Sequence, residues 1–174
     1  INLHLDLVAG LPGDSYESFL ASIDRVIELG PHHLQIEPVK LLPGSPLREQ
    51  AAERQIRHDP NPPYTILVSE EFSFAELQKL QGISRLLDLT YNSGCLQTFL
   101  QELCVTTGSF ANGLSWLSEK WQERDLFRFP LTRQALFQHI FIIIQERENS
   151  TKQPRLLESL AYDYARCERV VTNR

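Results

Sequence analysis

The residues best suited to chemistry fall on two short alternating stretches. In Leu3-His4-Leu5-Asp6-Leu7-Val8-Ala9 an imidazole and a carboxylate stand two positions apart, and Gln35 and Glu37 repeat that spacing between His33 and Lys40. Side chains two apart on a strand share a face. His4, Asp6 and Val8 therefore line one face of the first stretch and Gln35 and Glu37 one face of the second, with Leu3, Leu5, Leu7, Leu34 and Ile36 opposite. Groups of these types can hydrogen-bond a polar ligand or exchange protons with it. For Asp6 the plainer reading is an ion pair beside His4, because a buried, unpaired carboxylate costs several kcal/mol and demands a partner. For Gln35 and Glu37 it is a hydrogen-bonded interior. Lys40 stands at the C-terminal end of its stretch, where barrel sites gather. The turn Gly10-Leu11-Pro12-Gly13 serves either a tight strand-to-helix reversal or close approach of backbone to a ligand.

The elements that must position these groups read as a βαβ unit. The strand over 3–9 is followed by a capping box of Asp14 and Glu17 and a helix over 15–29, with Phe19, Leu20, Ile23, Val26 and Ile27 on one stripe. Asp14 is thus a cap rather than a ligand. Gly30-Pro31 ends the helix, and a strand over 33–40 follows, parallel to the first. Ser45 and Pro46 open a helix reaching about Arg57, and the Pro-rich segment 59–69 reads as a linker, with an extended stretch at Tyr64–Val68. Helices fill 70–174. Ser73 and Glu76 box the first, Gly108 and Ser109 separate the next two, and Thr132–Glu148 is apolar nearly all round at Phe137–Ile144, as a central buried helix would be. A helix over Gln153–Val171 closes the chain. The domains expected are 1–58, the linker 59–69 and a helical part 70–174.

Composition bounds the function. Among 174 residues, 17 are Lys or Arg and 22 are Asp or Glu, and no basic cluster exceeds two residues. The electrostatic footprint of a nucleic-acid binder is missing. The longest apolar run, around Ile140–Ile144, is far short of the roughly 20 residues that span a membrane. Cys95, Cys104 and Cys167 include no CxxC and read as core packing in a reducing, cytoplasmic setting. His32 and His33 make no metal site by themselves, and Trp116 and Trp121 read as core. An ordinary nucleotide-binding βαβ unit is disfavoured, because the turn is not GxGxxG and Pro12 removes an N–H that phosphate would use. The chain starts at Ile1 inside a strand and contains no Met, and is expected to be a piece of a larger protein.

A parallel sheet with a polar inner face fits a wide or incomplete barrel, in which leucines pack on outer helices while His4, Asp6, Gln35 and Glu37 line a lumen. A complete barrel takes about 250 residues, so this chain holds only part of one. Leu5 to Ser15, with Phe19 four residues on, resembles the fifth βα unit of radical S-adenosylmethionine (SAM) enzymes, often D-x-I-x-G-x-P-G-E-T. Leu34–Lys40 with Leu41-Leu42-Pro43-Gly44-Ser45-Pro46-Leu47 resembles that family's sixth strand and its L-P-G-T-P-L turn. Val8 stands for Ile, Asp14 for Glu and Ser45 for Thr. Asn61-Pro62-Pro63-Tyr64, Phe72-Ser73-Phe74 and Tyr91-Asn92-Ser93-Gly94 resemble a C-terminal domain of unknown function found in a cobalamin-binding subgroup of these Fe–S oxidoreductases.

The resemblance implies a fold, cofactors and a division of labour. The fold is α/β plus α: two parallel strands of a TIM-like radical SAM barrel (βαβα), then an all-helical domain. In the parent protein a 4Fe-4S cluster on a CxxxCxxC loop cleaves SAM reductively, for radical chemistry or, with cobalamin, methyl transfer, on a tetrapyrrole-like or other small molecule. The partners are the N-terminal barrel and cobalamin-binding domains of the same chain. By motif match Val8 packs on the SAM adenine, Gly10 and Gly13 admit SAM to the backbone, and Val39, Lys40 and Leu41 add adenine contacts. The helical part would cap the barrel or dock substrate, and the isolated piece would be inactive. The rival expectation is a non-enzymatic helical interaction module on a barrel-derived scaffold.

Overall fold

The computed structural model describes residues 1–146 and 153–171. It forms two compact units, Ile1–Ser84 and Arg85–Arg174. The first holds β1 (His4–Ala9), α1 (Tyr16–Ile27), β2 (His33–Pro38), α2 (Pro46–Glu49), β3 (Arg57–His58), β4 (Ile66–Val68) and most of α3 (Phe74–Leu89). β1 and β2 pair in parallel, from His4 opposite His33 to Ala9 opposite Pro38. This mixed α/β unit has the expected βαβ start, and no closed barrel forms among the described residues.

The strand period sorts the side chains. Leu34 and Ile36 are fully or nearly fully buried with Phe19 and Ile23 of α1, Ile66 of β4 and Leu77, Leu80 and Ile83 of α3. Ser84 Oγ donates to the Ile36 carbonyl at 2.8 Å, which fastens α3 to β2. The N-terminus of α1 differs from expectation. Ser15, not Asp14, is the N-cap, and its partner is Ser18, not Glu17: the Ser18 N–H donates to Ser15 Oγ at 3.2 Å and the Ser15 N–H to Ser18 Oγ at 2.9 Å. Asp14 instead accepts from the Ser15 N–H and the Ser18 hydroxyl. Two hydroxyls three residues apart satisfy the same orphan N–H groups that a Glu would.

α2 is likewise one turn long rather than running to Arg57. Gln55 takes a left-handed φ of 52° and the Ile56 N–H donates to the Ala51 carbonyl at 2.8 Å, swinging Ile56 into the core. Arg57 and His58 then pair antiparallel with β4. The Pro-rich segment lies within the first unit. Its ends are joined by the Asp59 N–H donating to the Thr65 carbonyl at 2.9 Å, and the Ile66 N–H reaches the Val39 carbonyl at 2.9 Å.

The second unit is helical: the end of α3, then α4 (Gln97–Thr107), α5 (Phe110–Glu123), α6 (Arg133–Gln145) and α7 (Gln153–Val171). The expected breaks are present. Ser73 and Glu76 exchange N–H bonds before α3, Gly108 ends α4, and Ser109 caps α5. Gly113 lets α5 approach α4 closely, since a Cβ there would lie 3.0 Å from Leu103 Cγ. Trp121 is fully buried, as expected, with its ring edge-on to His139. The expectation of an all-round buried α6 is corrected. Leu136, Phe137, Ile140, Ile143 and Ile144 are buried along one stripe, while Phe141 and Ile142 face solvent.

α4 begins at Leu96, which offers no side-chain cap. Asp163 of α7, only 3% exposed, supplies one instead, its Oδ2 accepting the Phe99 N–H at 2.8 Å. Asp163→Ala should strand that buried donor and destabilise the protein by about 2 kcal/mol, with Asp163→Asn losing less because it keeps an acceptor oxygen. Urea unfolding of the two variants beside the native protein measures this.

Candidate functional site

The parallel register aligns the chemistry-bearing residues into rows on one face of the β1–β2 pair: His4 with His33, Asp6 with Gln35, Val8 with Glu37. His4, Asp6, Val8 and Gln35 are exposed and Glu37 is half-buried. Asp6 therefore sits in water and does not need the partner expected of a buried carboxylate. The His4 and His33 rings stack at 5.4 Å between centroids. Alternation places His33 on the face of Gln35 and Glu37, but the sequence pattern weighs it only as a metal ligand beside His32, and its stacking on His4 depends on the pairing with β1, which spacing within one strand does not reveal.

Glu37 is the most connected group on this face. Its Oε1 accepts from Gln35 Nε2 at 2.8 Å and its Oε2 from Lys40 Nζ at 3.1 Å. The Gln35 amide first, then the Lys40 ammonium, hold the Glu37 carboxyl below its usual value of 4.5. Lys40 is exposed, so its ion pair with Glu37 is a solvent-screened contact.

The C-terminal ends of the strands carry the remaining expected site residues. Gly10 is buried with φ +91°, and a Cβ there would stand 3.1 Å from Ile66 Cγ2 and 3.5 Å from Leu77 Cδ2. The side of Gly10 that lacks a Cβ thus faces the protein's own core. Gly13 is exposed, and its N–H donates to Glu71 Oε1 at 3.0 Å, the main cause holding the Glu71 carboxyl below its usual 4.5. Nothing in the sequence pattern pointed to Glu71, which is 58 residues away.

Val39 and Leu41 are buried. The Val39 N–H donates to the Ala9 carbonyl and the Leu41 N–H to the Tyr64 carbonyl, while Arg48 Nη1 donates to the Leu41 carbonyl at 2.9 Å. Arg48 also lies over the Tyr64 ring, 4.7 Å from its centroid. The structure thus brings His4, Asp6, Val8, Gln35, Glu37 and Lys40 to the strand face and its margin, and turns Val39 and Leu41 into the core.

No group of three or more His, Cys, Asp or Glu suited to a metal ion occurs among the described residues. The three cysteines are half-buried and none is in a disulfide. Among the described residues no set of thiolates converges as an iron–sulfur cluster needs, so they do not fit one. In the second unit, a trough of about 430 Å³ between α6 and α7 is lined mainly by apolar groups, among them Phe137, Phe141, Leu157 and Tyr164. Its polar groups are the Gln134 and Gln138 amides and the Tyr164 phenol.

A family model described as "Protein of unknown function (DUF4080)" matches residues 53–172. The match begins ahead of β3 and runs through α7, leaving β1, α1, β2 and α2 outside it. No curated protein matches the sequence. No helix among the described residues is long and apolar enough to cross a membrane.

The carboxylates on and near the turn set a pH response. Glu37 and Glu71 are both depressed when folded, so the stability they contribute is complete above about pH 4.5 and is lost as pH falls through their lower folded values. Replacing Lys40 with Met should move the Glu37 titration upward and leave Glu71 unmoved. Side-chain carboxyl NMR resolves the two.

Proposed function

The chain belongs to the DUF4080 family, and we propose that it is the C-terminal portion of a radical SAM Fe–S oxidoreductase of the cobalamin-binding subgroup. In this reading residues 1–58 are the last βα units of the barrel, and the remainder is the accessory domain that follows it. The observation that carries the reading is the strand face. Parallel strands are buried on both sides in ordinary α/β folds. β1 and β2 instead cover only one face, with Leu34 and Ile36 buried and Leu5 and Leu7 half-buried, and hold His4, Asp6 and Gln35 in solvent on the other, with a Gly-rich turn at the strands' C-terminal ends. Ligands of parallel α/β folds bind at that end.

The residues divide the work according to their exposure. Val8, 44% exposed, presents an apolar surface on which an adenine ring can lie. Asp6 and the paired histidines offer an acceptor and donors to a polar small molecule. Gln35 and Lys40 orient Glu37, so that this carboxylate meets a ligand in a fixed direction. Val39 and Leu41, buried and with their N–H groups engaged, support the adenine site from behind rather than touching it. In this reading the cluster is held by the N-terminal barrel of the parent protein, and residues 1–58 contribute binding and orientation rather than a step of SAM cleavage.

The test uses the intact gene product purified without oxygen. It is expected to carry iron and sulfide, to bind SAM, and to release 5′-deoxyadenosine from it on reduction. Val8→Asp should weaken SAM binding at least about tenfold, roughly 1.4 kcal/mol, with cluster content unchanged. A product that holds no cluster and binds no SAM overturns the assignment. The helical unit, with its apolar trough between α6 and α7, would then be the functional part as an interaction module.

A further inference from the structure

Two cysteines far apart in sequence meet in the second unit. Cys95 lies in the segment that leads into α4, immediately before Leu96, and its N–H donates to Ser93 Oγ at 3.3 Å. Cys167 lies on α7, and its thiol reaches the Cys95 carbonyl at 3.5 Å across a separation of 72 residues. Both are half-buried and unoxidised. Neither is needed to fill the core, since the buried apolar set of this unit is made by other side chains.

We propose that Cys95 and Cys167 are a redox-active dithiol that closes to a reversible disulfide, cross-linking the start of α4 to α7. The oxidant class is a low-molecular-weight disulfide such as oxidised glutathione. One cysteine thiolate attacks it, forming a mixed disulfide and releasing one glutathione thiolate. The second cysteine then attacks the mixed disulfide, forming the Cys95–Cys167 bond and releasing the other. The dithiol loses two electrons and two protons, and oxidised glutathione becomes two molecules of thiol.

The surroundings set the pace. Burial first, then the adjacent Cys95 and the Asp163 carboxylate, push the Cys167 thiol up to about 11, with Arg133 pulling the other way. In either order of attack Cys167 acts once as a nucleophile, so closure speeds up by up to about tenfold per pH unit on the alkaline side of neutrality. The location gives the bond an effect. Asp163, one turn before Cys167 on α7, already caps α4, so the disulfide adds a covalent link, for as long as it stays oxidised, where a hydrogen bond already joins the two helices.

The intact gene product is incubated with oxidised glutathione at about pH 8.5, alkylated and mapped without reduction. The expected result is a peptide pair joined through Cys95 and Cys167, reversed by dithiothreitol and absent from Cys95→Ser and Cys167→Ser. Cys104→Ser should retain it. Thermal unfolding of the oxidised form should rise by about 5 °C or more over the reduced form. Recovery of Cys95 and Cys167 as alkylated thiols or as separate glutathione adducts, or linked to Cys104, overturns the proposal.

Discussion

Parallel pairing between β1 and β2 is the constraint on which the candidate site rests. Side chains alternate across a strand, so a register that sets His4 opposite His33 commits every later residue of both strands to a face. A shift of one residue would carry Asp6 towards the layer that holds Phe19 and Ile23, and Leu34 into water. The apolar layer prevents this. Leu34 and Ile23 are both fully buried, and exposing either would cost about 1.5–3 kcal/mol. The polar face is therefore held in register by the face behind it, without being itself well packed.

The helical unit relies on a different device. Four of its helix starts or stops are written locally, by Ser109, Thr132, Gly108 and the Ser73–Glu76 box of the helix that leads into it. α4 is the exception, taking its cap from Asp163, 64 residues beyond Phe99. A carboxylate used this way locates one helix against another more narrowly than apolar contact does, because a hydrogen bond to a particular N–H fixes both distance and direction. The dithiol one turn along α7 uses the same juxtaposition.

Much of this was legible in the sequence, for reasons tied to range. The βαβ order, the faces of both strands and most helix boundaries follow from periodicity and local caps, which act over four residues or fewer. What escaped depended on distant partners. α2 stops after one turn because Ile56 is drawn into a core assembled from residues up to Ile83, and α6 looked buried all round because composition does not show which side meets neighbours. At the site, His4, Asp6, Gln35 and Glu37 were identifiable from alternation alone. The engagement of Gly13 by Glu71, and the burial of Val39 and Leu41 beneath the turn, arise from tertiary contacts that no local pattern encodes.

If the strand face is a binding site, as proposed, its chemistry limits what can sit on it. In water Asp6, His4 and Gln35 lose nothing, because solvent satisfies their donors and acceptors. An apolar cover would remove that solvent and leave Asp6 as an unpaired carboxylate, at a cost of several kcal/mol. Glu37 is less demanding, since Gln35 and Lys40 already occupy both of its oxygens. A ligand seated here therefore has to bring a donor or a positive charge to Asp6, while Val8 in the next row accepts apolar or aromatic surface. A molecule with a flat ring at one end and a cationic or donor-rich group at the other satisfies both rows. A purely aliphatic helix face satisfies only one.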